Sequence, residues 1–498
     1  MRIEDLLIRQ QNNSKIALKC NENVISFKDW YYKSLRLSVK IASLIRDCSY
    51  NVAIFLPNSI EYAVAYFGIL FSKKTVIPVG IFAKFPEIFS TLNYCEVDLI
   101  ITHSKYVSEI LNNIDKYKNQ LKVILIDGNE TLILNSTMLL PHKSGELEFE
   151  HNDNDVAIML HTSGTTTNPK RVMLTHKNII SNIESNIASL DLSVHDKSLI
   201  CLPMCFGYCN TSQFLTHLYL GACQVIMHTI FLPKYFFELV SSERITNFTA
   251  VPTMLLMLLD YRYSDSYDYS SLRFICFGGG KMPIDSLKKL ILMYPTIGFI
   301  HTYGQTECSP RITSLMPRDS LRKIGSVGKP IPNVCIKIRS NTTDLCAPFE
   351  TGEITVFGNN VMKGYYKDHK ETQKVLIDNW IRTGDLGYID DEGYLYVVGR
   401  IKNLIISGGI NIYPEEIEQI LCEIDGVEDA IVYGKSHEKI GEIVCANIVK
   451  KENCTLTEKD IINHCRKMLA EYKVPKYIKF VTAIKKTYNG KSKRCKNG

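Results

Sequence analysis

The sequence predicts an α/β protein with a large N-terminal domain and a small α+β C-terminal domain. From Asn51 onward, short apolar runs of buried-strand length alternate with helical patterns, which indicates parallel strands joined by crossover helices. The chain has 498 residues, too many for one hydrophobic core. After Arg400 the elements become shorter, and Pro414 at a helix start opens a unit of about a hundred residues. We therefore expect at least two domains.

The composition is that of an ordinary globular protein, with 45% hydrophobic residues, 22% charged residues and a mild net charge of +6. The N-terminal segment contains acids and no apolar core, so it is not a secretory signal. The apolar stretch 62–79 is interrupted by Ser-Lys-Lys and is too short to span a membrane. The 16 cysteines include no CxxC pair, which argues against a metal site or a disulfide framework. We expect a cytoplasmic protein without a membrane span.

The first crossover unit is a strand and turn at 51–58, a helix at 59–71 and a strand at 75–79. The same strand pattern returns at 98–102 and at 123–127. Because parallel strands need a crossover connection between them, this rhythm predicts layered α/β structure over the first four-fifths of the chain.

A hydroxyl-rich loop, residues 161–170, lies between two strand-like runs and precedes a helix that Thr175 can cap. Gly164 permits backbone geometry that a side chain would forbid, and Lys170 supplies a cation. Hydroxyl groups that can donate hydrogen bonds come from Thr162, Ser163, Thr165 and Thr166. This inventory suits a polyphosphate, but Asn-Pro-Lys stands where a Walker A loop requires Gly-Lys-Ser/Thr. Taken alone, the loop also fits an ordinary polar connection.

Later loops follow apolar strands, where α/β sheets bind ligands. The glycines Gly278, Gly279 and Gly280 let a flat ring approach the backbone closely. Thr306 and Glu307 can hold a phosphate oxygen and its magnesium ion, because magnesium prefers one or two carboxylates together with phosphate oxygens. These loops are therefore candidates for nucleotide binding.

Three further residues have simple interpretations. His217 lies among apolar residues, which favours a packed core histidine over a ligand, and Lys281 is expected to be solvated. Asp385 is expected in a turn, with its carboxylate free to chelate two ribose hydroxyls; the alternative is that Asp-Leu-Gly is only a turn.

Taken together, five ordered motifs resemble the adenylate-forming superfamily. Its members are acyl- and aryl-CoA synthetases, adenylation domains of non-ribosomal peptide synthesis, and luciferases. The motifs are Thr162-Ser-Gly-Thr-Thr with Pro169-Lys170; Tyr303-Gly-Gln-Thr-Glu307; Thr383-Gly-Asp385; Gly399-Arg400-Ile-Lys402 with Gly408-Gly409, Asn411 and Pro414-Glu415-Glu416; and Asn489-Gly490-Lys491. The likeness covers nearly the whole chain.

The resemblance implies a large N-terminal domain of two β/α layers plus a distorted β-barrel, followed by a small mobile α+β domain. It implies a hinge at Lys402. The expected divisions are 1–399 for the N-terminal ATP- and acid-binding domain, 400–402 for the hinge and 403–498 for the C-terminal domain.

The resemblance also implies a role for each motif. Thr162, Ser163, Gly164, Thr165, Thr166 and Lys170 would hold the β- and γ-phosphates of ATP, Thr306 the α-phosphate, Glu307 magnesium, Asp385 the ribose, and Gly278, Gly279, Gly280 and Tyr303 the adenine. Arg400 would contact the ribose or a phosphate, Lys491 would be the catalytic lysine, and Gly408 and Gly409 would come forward for the thiol step.

The implied reaction accounts for these charges. A carboxylate must attack the α-phosphorus of ATP although both partners are anionic, so cations have to neutralise the transition state and the departing pyrophosphate. Lys491 and magnesium meet that need. The acyl-adenylate then loses AMP to a thiol of coenzyme A or of a carrier-protein phosphopantetheine. A hinge motion exchanges Lys491 for a face that admits the thiol.

Some positions depart from the family pattern. The family usually has Gly where Thr167 and Arg171 stand, so we expect a stiffer loop with one more cation. Many CoA ligases carry a His at the position of Phe206, and amino-acid-activating members place an Asp in this segment. Because a buried ammonium without a counter-charge is costly, we expect that the substrate is not an α-amino acid.

The acid pocket is expected to combine apolar and polar side chains that suit an aryl or medium-length acyl acid. Its candidate residues are Phe206, Tyr208, Asn210, Val251 and Thr302, with Gly278 and Gly279 beside them.

Other functions stay open on the sequence alone. One is a stand-alone adenylation enzyme that loads a carrier protein in a non-ribosomal peptide or polyketide pathway. Another is a luciferase-like oxygenase, although nothing marks a luciferin pocket. A third is a non-enzymatic nucleotide-binding module whose basic tail contacts nucleic acid. This tail contains Lys485, Lys486, Lys491, Lys493, Arg494 and Lys496. Retention of Lys491, Glu307 and Asp385 argues against it, and the tail has few aromatics for stacking bases. We expect no nucleic-acid partner.

Overall fold

The structure is a computed structural model. It describes residues 1–45, 50–114, 117, 121–127, 130–134, 152–161, 170–340, 344–438, 440–452 and 454–485. Within these ranges, no helix has the length and apolar character needed to cross a membrane.

The elements have the following bounds. The α-helices are α1 Glu4–Ile8, α2 Phe27–Leu44, α3 Ile60–Phe71, α4 Phe85–Tyr94, α5 Ser104–Leu111, α6 His176–Leu190, α7 Gly207–Cys209, α8 Thr216–Leu220, α9 Pro233–Glu243, α10 Pro252–Leu259, α11 Ile284–Met293, α12 His369–Val375, α13 Pro414–Cys422 and α14 Glu458–Met468. The strands are β1 Ile16–Cys20, β2 Asn23–Ser26, β3 Asn51–Phe55, β4 Thr75–Pro78, β5 Leu99–Thr102, β6 Lys122–Asp127, β7 Glu130–Leu134, β8 Val156–His161, β9 Arg171–Thr175, β10 Lys197–Ile200, β11 Cys223–Ile226, β12 Asn247–Ala250, β13 Phe274–Phe277, β14 Gly298–Gly304, β15 Arg311–Leu315, β16 Lys329–Pro330, β17 Val334–Arg339, β18 Gly352–Gly358, β19 Gly364–Tyr365, β20 Leu376–Ile377, β21 Trp380–Ile389, β22 Leu395–Arg400, β23 Ile405–Ser407, β24 Ile410–Ile412, β25 Val427–His437, β26 Gly441–Lys450 and β27 Tyr477–Phe480.

Two large sheets carry the N-terminal part of the chain. One runs in the order β16-β15-β14-β13-β12-β10-β11-β1-β2, and the other in the order β19-β9-β8-β4-β3-β5-β6-β7. Their central strands are parallel and are flanked by antiparallel strands. A third, antiparallel sheet contains β17, β18, β20, β21 and β22. Strands β23 to β27 form a separate fourth sheet.

Helix starts follow the signals in the sequence. Thr175 caps α6, because its Oγ1 accepts from the Asn178 backbone N–H at 3.1 Å while Asn178 Oδ1 accepts from the Thr175 N–H at 2.9 Å. Pro414 occupies the first turn of α13, followed by Glu415 and Glu416. The expected starts of both helices are confirmed.

An aromatic cluster joins three helices in the main core. Trp30 of α2 lies 5.2 Å from Phe67 of α3 and 5.7 Å from Phe214, measured between ring centres. Phe214 belongs to a π-helical turn, Asn210–Leu215. His217, just beyond this turn, is buried, with Nδ1 2.8 Å from the Gln213 carbonyl oxygen. The expectation of a packed core histidine is confirmed.

The two parts of the chain meet at the start of α13. The Lys281 ammonium donates to the Glu415 backbone carbonyl at 2.5 Å. Within the C-terminal part, Asn403 Nδ2 donates to the Glu415 carboxylate at 2.9 Å. Lys281 is exposed, as expected, and it also contacts the C-terminal part through its hydrogen bond to Glu415. The domain boundaries themselves remain predictions.

Candidate active site

A cavity of about 860 Å³ opens where strands of the two large sheets end. Its walls include Val251 after β12, Gly279 after β13 and Thr302 near the end of β14. His161 at the end of β8 and residues 400–402 also line it. The carboxyl ends of parallel strands are where α/β proteins bind ligands, so this cavity is the candidate active site.

The predicted phosphate loop is described only at its flanks. Residues outside the described ranges are Thr162, Ser163, Gly164, Thr165, Thr166 and Thr167. Lys170 lines the cavity, where its ammonium lies 2.5 Å from the Glu371 carboxylate and 4.8 Å from the centre of the Tyr365 ring. An acid and an aromatic face thus hold a cation at the cavity wall.

The expectation that Arg171 adds a second cation to this loop is wrong. Arg171 begins β9, is only 3% exposed, and donates from Nη2 to Thr91 Oγ1 in α4. Consecutive side chains of an extended segment point to opposite sides, so Lys170 faces the cavity and Arg171 faces the protein interior.

Thr306 and Glu307 lie on a short 3₁₀ turn, and both line the cavity. The Tyr365 hydroxyl donates to Glu307 Oε1 at 2.9 Å. Burial, followed by the negative charge of Glu307, raises the pKa of Tyr365, so the phenol stays protonated and remains a donor. A carboxylate oriented in this way, beside a hydroxyl, is a donor set that fits a magnesium ion shared with a phosphate.

Asp385 is not in a turn and its carboxylate is not free. It lies in β21 opposite Arg400 of β22, and is only 3% exposed. Its Oδ2 accepts from the Tyr303 hydroxyl at 2.8 Å, and its Oδ1 lies 2.7 Å from Arg400 Nε. Gly384 has a φ of +71°, a conformation that favours glycine, and lies where the register of β21 against β18 shifts. Strand β21 therefore stays paired with β18 before and after this irregularity. A bound ribose would have to share this carboxylate with Tyr303 and Arg400.

The negative charge of Asp385 also fixes the ionisation of its partners. Burial, followed by the Asp385 charge, raises the pKa of Tyr303. The Asp385 charge raises the pKa of Arg400. Tyr303 and Arg400 therefore remain hydrogen-bond donors at neutral pH. Both side chains line the cavity, as does the neighbouring Thr383.

Replacing Asp385 by asparagine is expected to lower kcat/KM for ATP about 10- to 100-fold, mainly through KM, because an amide accepts fewer hydrogen bonds than a carboxylate. Steady-state kinetics with varied ATP measure this. The matched control is Asp390→Asn, a carboxylate 4% exposed and 2.7 Å from Lys323 Nζ, away from the cavity. It is expected to lower stability without changing KM for ATP. An unchanged KM in the Asp385 variant would exclude the ribose role.

The three glycines predicted to face adenine differ in position. Gly279 lines the cavity, with φ of +80°. Gly278 is buried, and a Cβ there would come within 2.4 Å of the Thr302 carbonyl oxygen, so its role in the structure is close packing against β14. Gly280 is exposed beside Pro252. Of the three, Gly279 is the one placed to meet a ligand.

Four of the predicted acid-pocket residues line one stretch of the cavity, which we name the acid wall: Phe206, Tyr208, Val251 and Thr302. Asn210 was expected there, and this is wrong. Asn210 is fully buried in the π-helical turn, 3.4 Å from the Tyr66 hydroxyl, because the turn rotates its side chain into the core.

Several residues that line the cavity were not singled out from the sequence, among them Phe82, His161 and Arg311. Phe82 stacks on Phe206 with ring centres 5.4 Å apart. Burial, together with the positive charge of Arg171, lowers the pKa of His161 to about 4, so this imidazole is neutral at physiological pH. Arg311, the first residue of β15, is 2% exposed and lines the cavity. Arg311 reaches the acid wall through the pairing of β15 with β14, and no local sequence motif predicts that position.

The predicted hinge and thiol-step loop lie beside the cavity. Lys402 lies in a 3₁₀ turn, Ile401–Asn403, and lines the cavity. Gly408 and Gly409 form the turn between β23 and β24, with φ of +58° and +81°, as in the tight turns of β-hairpins. This turn is exposed, and a Cβ at either glycine would meet no described atom within 4 Å. Lys491 lies outside the described residues.

Comparison with known proteins agrees with this geometry. Residues 8–366 match the model of the AMP-binding enzyme family, and residues 416–491 match its C-terminal domain. The chain is 31% identical to a 2-succinylbenzoate–CoA ligase of Bacillus cytotoxicus, over 94% of this chain and 92% of that protein. It is also 31% identical to a long-chain-fatty-acid–CoA ligase of Bacillus subtilis, over 96% and 90%.

Solved structures of one relative superpose over the whole length. The o-succinylbenzoate CoA synthetase of Bacillus subtilis, in complex with its acyl-adenylate intermediate, gives a TM-score of 0.85 at 28% identity, covering 99% of this chain and 97% of that one. The same enzyme in complex with ATP and a magnesium ion also gives a TM-score of 0.85 at 28% identity, covering 98% of each chain.

The chain therefore belongs to the AMP-binding, or adenylate-forming, enzyme family. The predicted family and the predicted fold, a large N-terminal α/β domain followed by a small C-terminal domain, are both confirmed. Within this family it is an AMP-forming acid–thiol ligase, as the motifs indicated.

Proposed function

We propose that this enzyme uses ATP and magnesium to convert an aryl or acyl carboxylic acid into an acyl-adenylate, and then transfers the acyl group to coenzyme A. In the first step a carboxylate oxygen bonds to the α-phosphorus and the bond to pyrophosphate breaks. In the second step a thiolate sulfur bonds to the acyl carbon, and AMP leaves with the oxygen. The observation that carries the proposal is one cavity that joins Lys170, Thr306 and Glu307 to the acid wall.

The relatives support the choice of reactants. Those compared are CoA ligases, and one of them has been captured with ATP and magnesium and with an acyl-adenylate. When bound, magnesium would neutralise phosphate charge. In this chain Glu307 would hold the ion, Thr306 the α-phosphate, Lys170 and the loop before it the other phosphates, and Lys491 the transition-state charge. ATP and coenzyme A are intracellular metabolites, and we propose a cytoplasmic location.

The acid is not an α-amino acid. The acid wall offers Phe206, Tyr208, Val251 and Thr302, and none of these carries a negative charge. Of the other carboxylates that line the cavity, Glu371 pairs with Lys170 and Glu353 lies 2.5 Å from Arg382, while Glu307 is the proposed magnesium ligand. An ammonium group buried beside this wall would have no counter-charge, which is costly.

Pyrophosphate exchange with a panel of acids tests the proposal. We expect ATP-pyrophosphate exchange with aryl or acyl acids, none with α-amino acids, and thioester formation when coenzyme A is added. A stand-alone adenylation enzyme would show exchange but would acylate only a carrier protein, and an oxygenase would consume oxygen. Absence of exchange with every acid class would refute the proposal.

The exposed turn at Gly408 and Gly409 has to move toward the cavity for the second step. Gly409→Val is therefore expected to slow thioester formation at least about tenfold while leaving acyl-adenylate formation intact, because a branched side chain at positive φ strains the turn. Single-turnover assays of the two steps separate these effects. The control is Gly393→Val, because Gly393 has a similar positive φ, +84° against +81° for Gly409, and similar open space in the turn between β21 and β22. Equal slowing of both steps in the Gly409 variant would contradict a role confined to thiol transfer.

A further inference from the structure

Arg311 is a buried cation at the acid wall. Its side chain is 2% exposed and lines the cavity. No carboxylate of the described chain lies within ion-pair distance of its guanidinium, and its Nε and Nη2 have no hydrogen-bond partner among the described residues. Four other cations that line this cavity, namely Lys170, Lys374, Arg382 and Arg400, each have a carboxylate partner. A buried charge left without a partner is strongly unfavourable, so a site that keeps one is built for a ligand of opposite charge.

Helix α6 holds Arg311 in one orientation. Asn186 Oδ1 accepts from Arg311 Nη1, and the Asn186 amide nitrogen is committed to the Ser212 carbonyl at 3.1 Å. One turn earlier, Asn182 Nδ2 donates to the Arg311 carbonyl at 2.8 Å and Asn182 Oδ1 accepts from the Arg311 N–H at 3.3 Å. Residues four apart share a face of a helix, so Asn182 binds the backbone of Arg311 while Asn186 binds its side chain. The guanidinium is thus positioned before any ligand arrives.

The neighbours of the guanidinium place it at the acid wall. Thr302 Oγ1 donates to the Phe277 carbonyl at 3.0 Å, so it can only accept from the Tyr208 hydroxyl 2.8 Å away. Tyr208 therefore keeps lone pairs for other donors. Burial raises the pKa of Tyr208 and of Cys276, and the positive charge of Arg311 opposes both rises. The charge of Arg311 therefore acts on Tyr208, a residue on the side of the cavity that would receive the acid.

We propose that Arg311 is a specificity-determining residue that binds a second anionic group of the substrate, and that the preferred substrate is a dicarboxylic acid. One carboxylate is adenylated, and the other forms an ion pair with the Arg311 guanidinium beside Tyr208. This inference rests on the proposed acid-activating function and narrows its substrate class. Arginine suits the task because its planar fork matches a carboxylate with two parallel hydrogen bonds.

The test uses matched acids that differ only in the second carboxylate: phenylpropanoate with its ring-carboxylated counterpart, and hexanoate with adipate. Pyrophosphate exchange gives kcat/KM for each acid. The wild-type enzyme is expected to prefer one of the dicarboxylates over its monocarboxylate partner about 100-fold or more, because a site built for a charged group discriminates strongly against an analogue that lacks it. Arg311→Met is expected to remove this preference, and Arg311→Lys to retain a preference of the same sign.

Each value is a ratio within one preparation, so partial loss of folded enzyme cancels. Arg171→Met, which removes a buried arginine that faces away from the cavity, is expected to leave the ratio unchanged. The inference is overturned if the wild type prefers neither dicarboxylate, or if Arg311→Met lowers kcat/KM equally for both members of a pair. Equal loss would mean that Arg311 only supports the wall or contacts the reacting carboxylate. If no acid supports exchange, the proposed function itself fails.

Discussion

Replacing Lys491 by alanine is expected to slow acyl-adenylate formation about 1000-fold, because a preorganised positive charge at the developing negative charge of a transition state is worth this much. The same variant, supplied with a synthetic acyl-adenylate, is expected to form the coenzyme A thioester at nearly the wild-type rate. Pyrophosphate exchange and single-turnover thiol transfer measure the two steps separately. Lys491 would thus serve the first step alone.

The control for Lys491 is Lys485→Ala, which removes an exposed lysine six residues earlier in the chain. It is expected to leave both steps unchanged, since an exposed charge is screened by solvent and salt. If Lys491→Ala keeps full exchange activity, or loses both steps equally, the assignment of Lys491 as the adenylation lysine is wrong.

Glu307→Gln is expected to lower kcat/KM for adenylation about 100- to 1000-fold and to raise the magnesium concentration needed for half-maximal activity. The reason is that magnesium prefers an ionised carboxylate, and a neutral amide oxygen is a weaker ligand. The Tyr365 hydroxyl, 2.9 Å from Glu307 Oε1, can still donate to the amide oxygen, so the local fold is preserved. A magnesium titration of pyrophosphate exchange measures the shift.

Glu353→Gln is the matched control for Glu307, because this carboxylate also lines the cavity but is paired with Arg382. Its magnesium dependence is expected to equal that of the wild type. The same half-maximal magnesium concentration in the Glu307 variant and the wild type would show that the metal is held elsewhere.

Local sequence signals predicted the elements of this fold well. The predicted strand and turn at 51–58, helix at 59–71 and strand at 75–79 correspond to β3, α3 and β4. The capping side chain of Thr175 starts α6 as expected. These features could be predicted because strand-length apolar runs and capping hydrogen bonds depend only on residues that are close together in the sequence.

The site was harder to predict, because side-chain direction depends on pairing between distant strands. Asp385 was expected in a turn, but it lies in β21, which pairs with β18 on one side and β22 on the other. Its carboxylate forms an ion pair with Arg400. Asn210 was expected in the pocket, but a π-helical turn directs it into the core. Arg311 reaches the acid wall because β15 pairs with β14, and neither strand shows this in its own sequence.

The most direct test of acid activation through an adenylate is mass spectrometry of the AMP ester formed from a mixed pool of acids, ATP and magnesium. We expect one acyl-AMP to accumulate together with an equal amount of pyrophosphate. The ester should disappear, with release of AMP and formation of a thioester, when coenzyme A is added. The captured acyl group would also identify the substrate. Formation of ADP and an acyl phosphate, or ATP turnover without any AMP ester, would contradict the account.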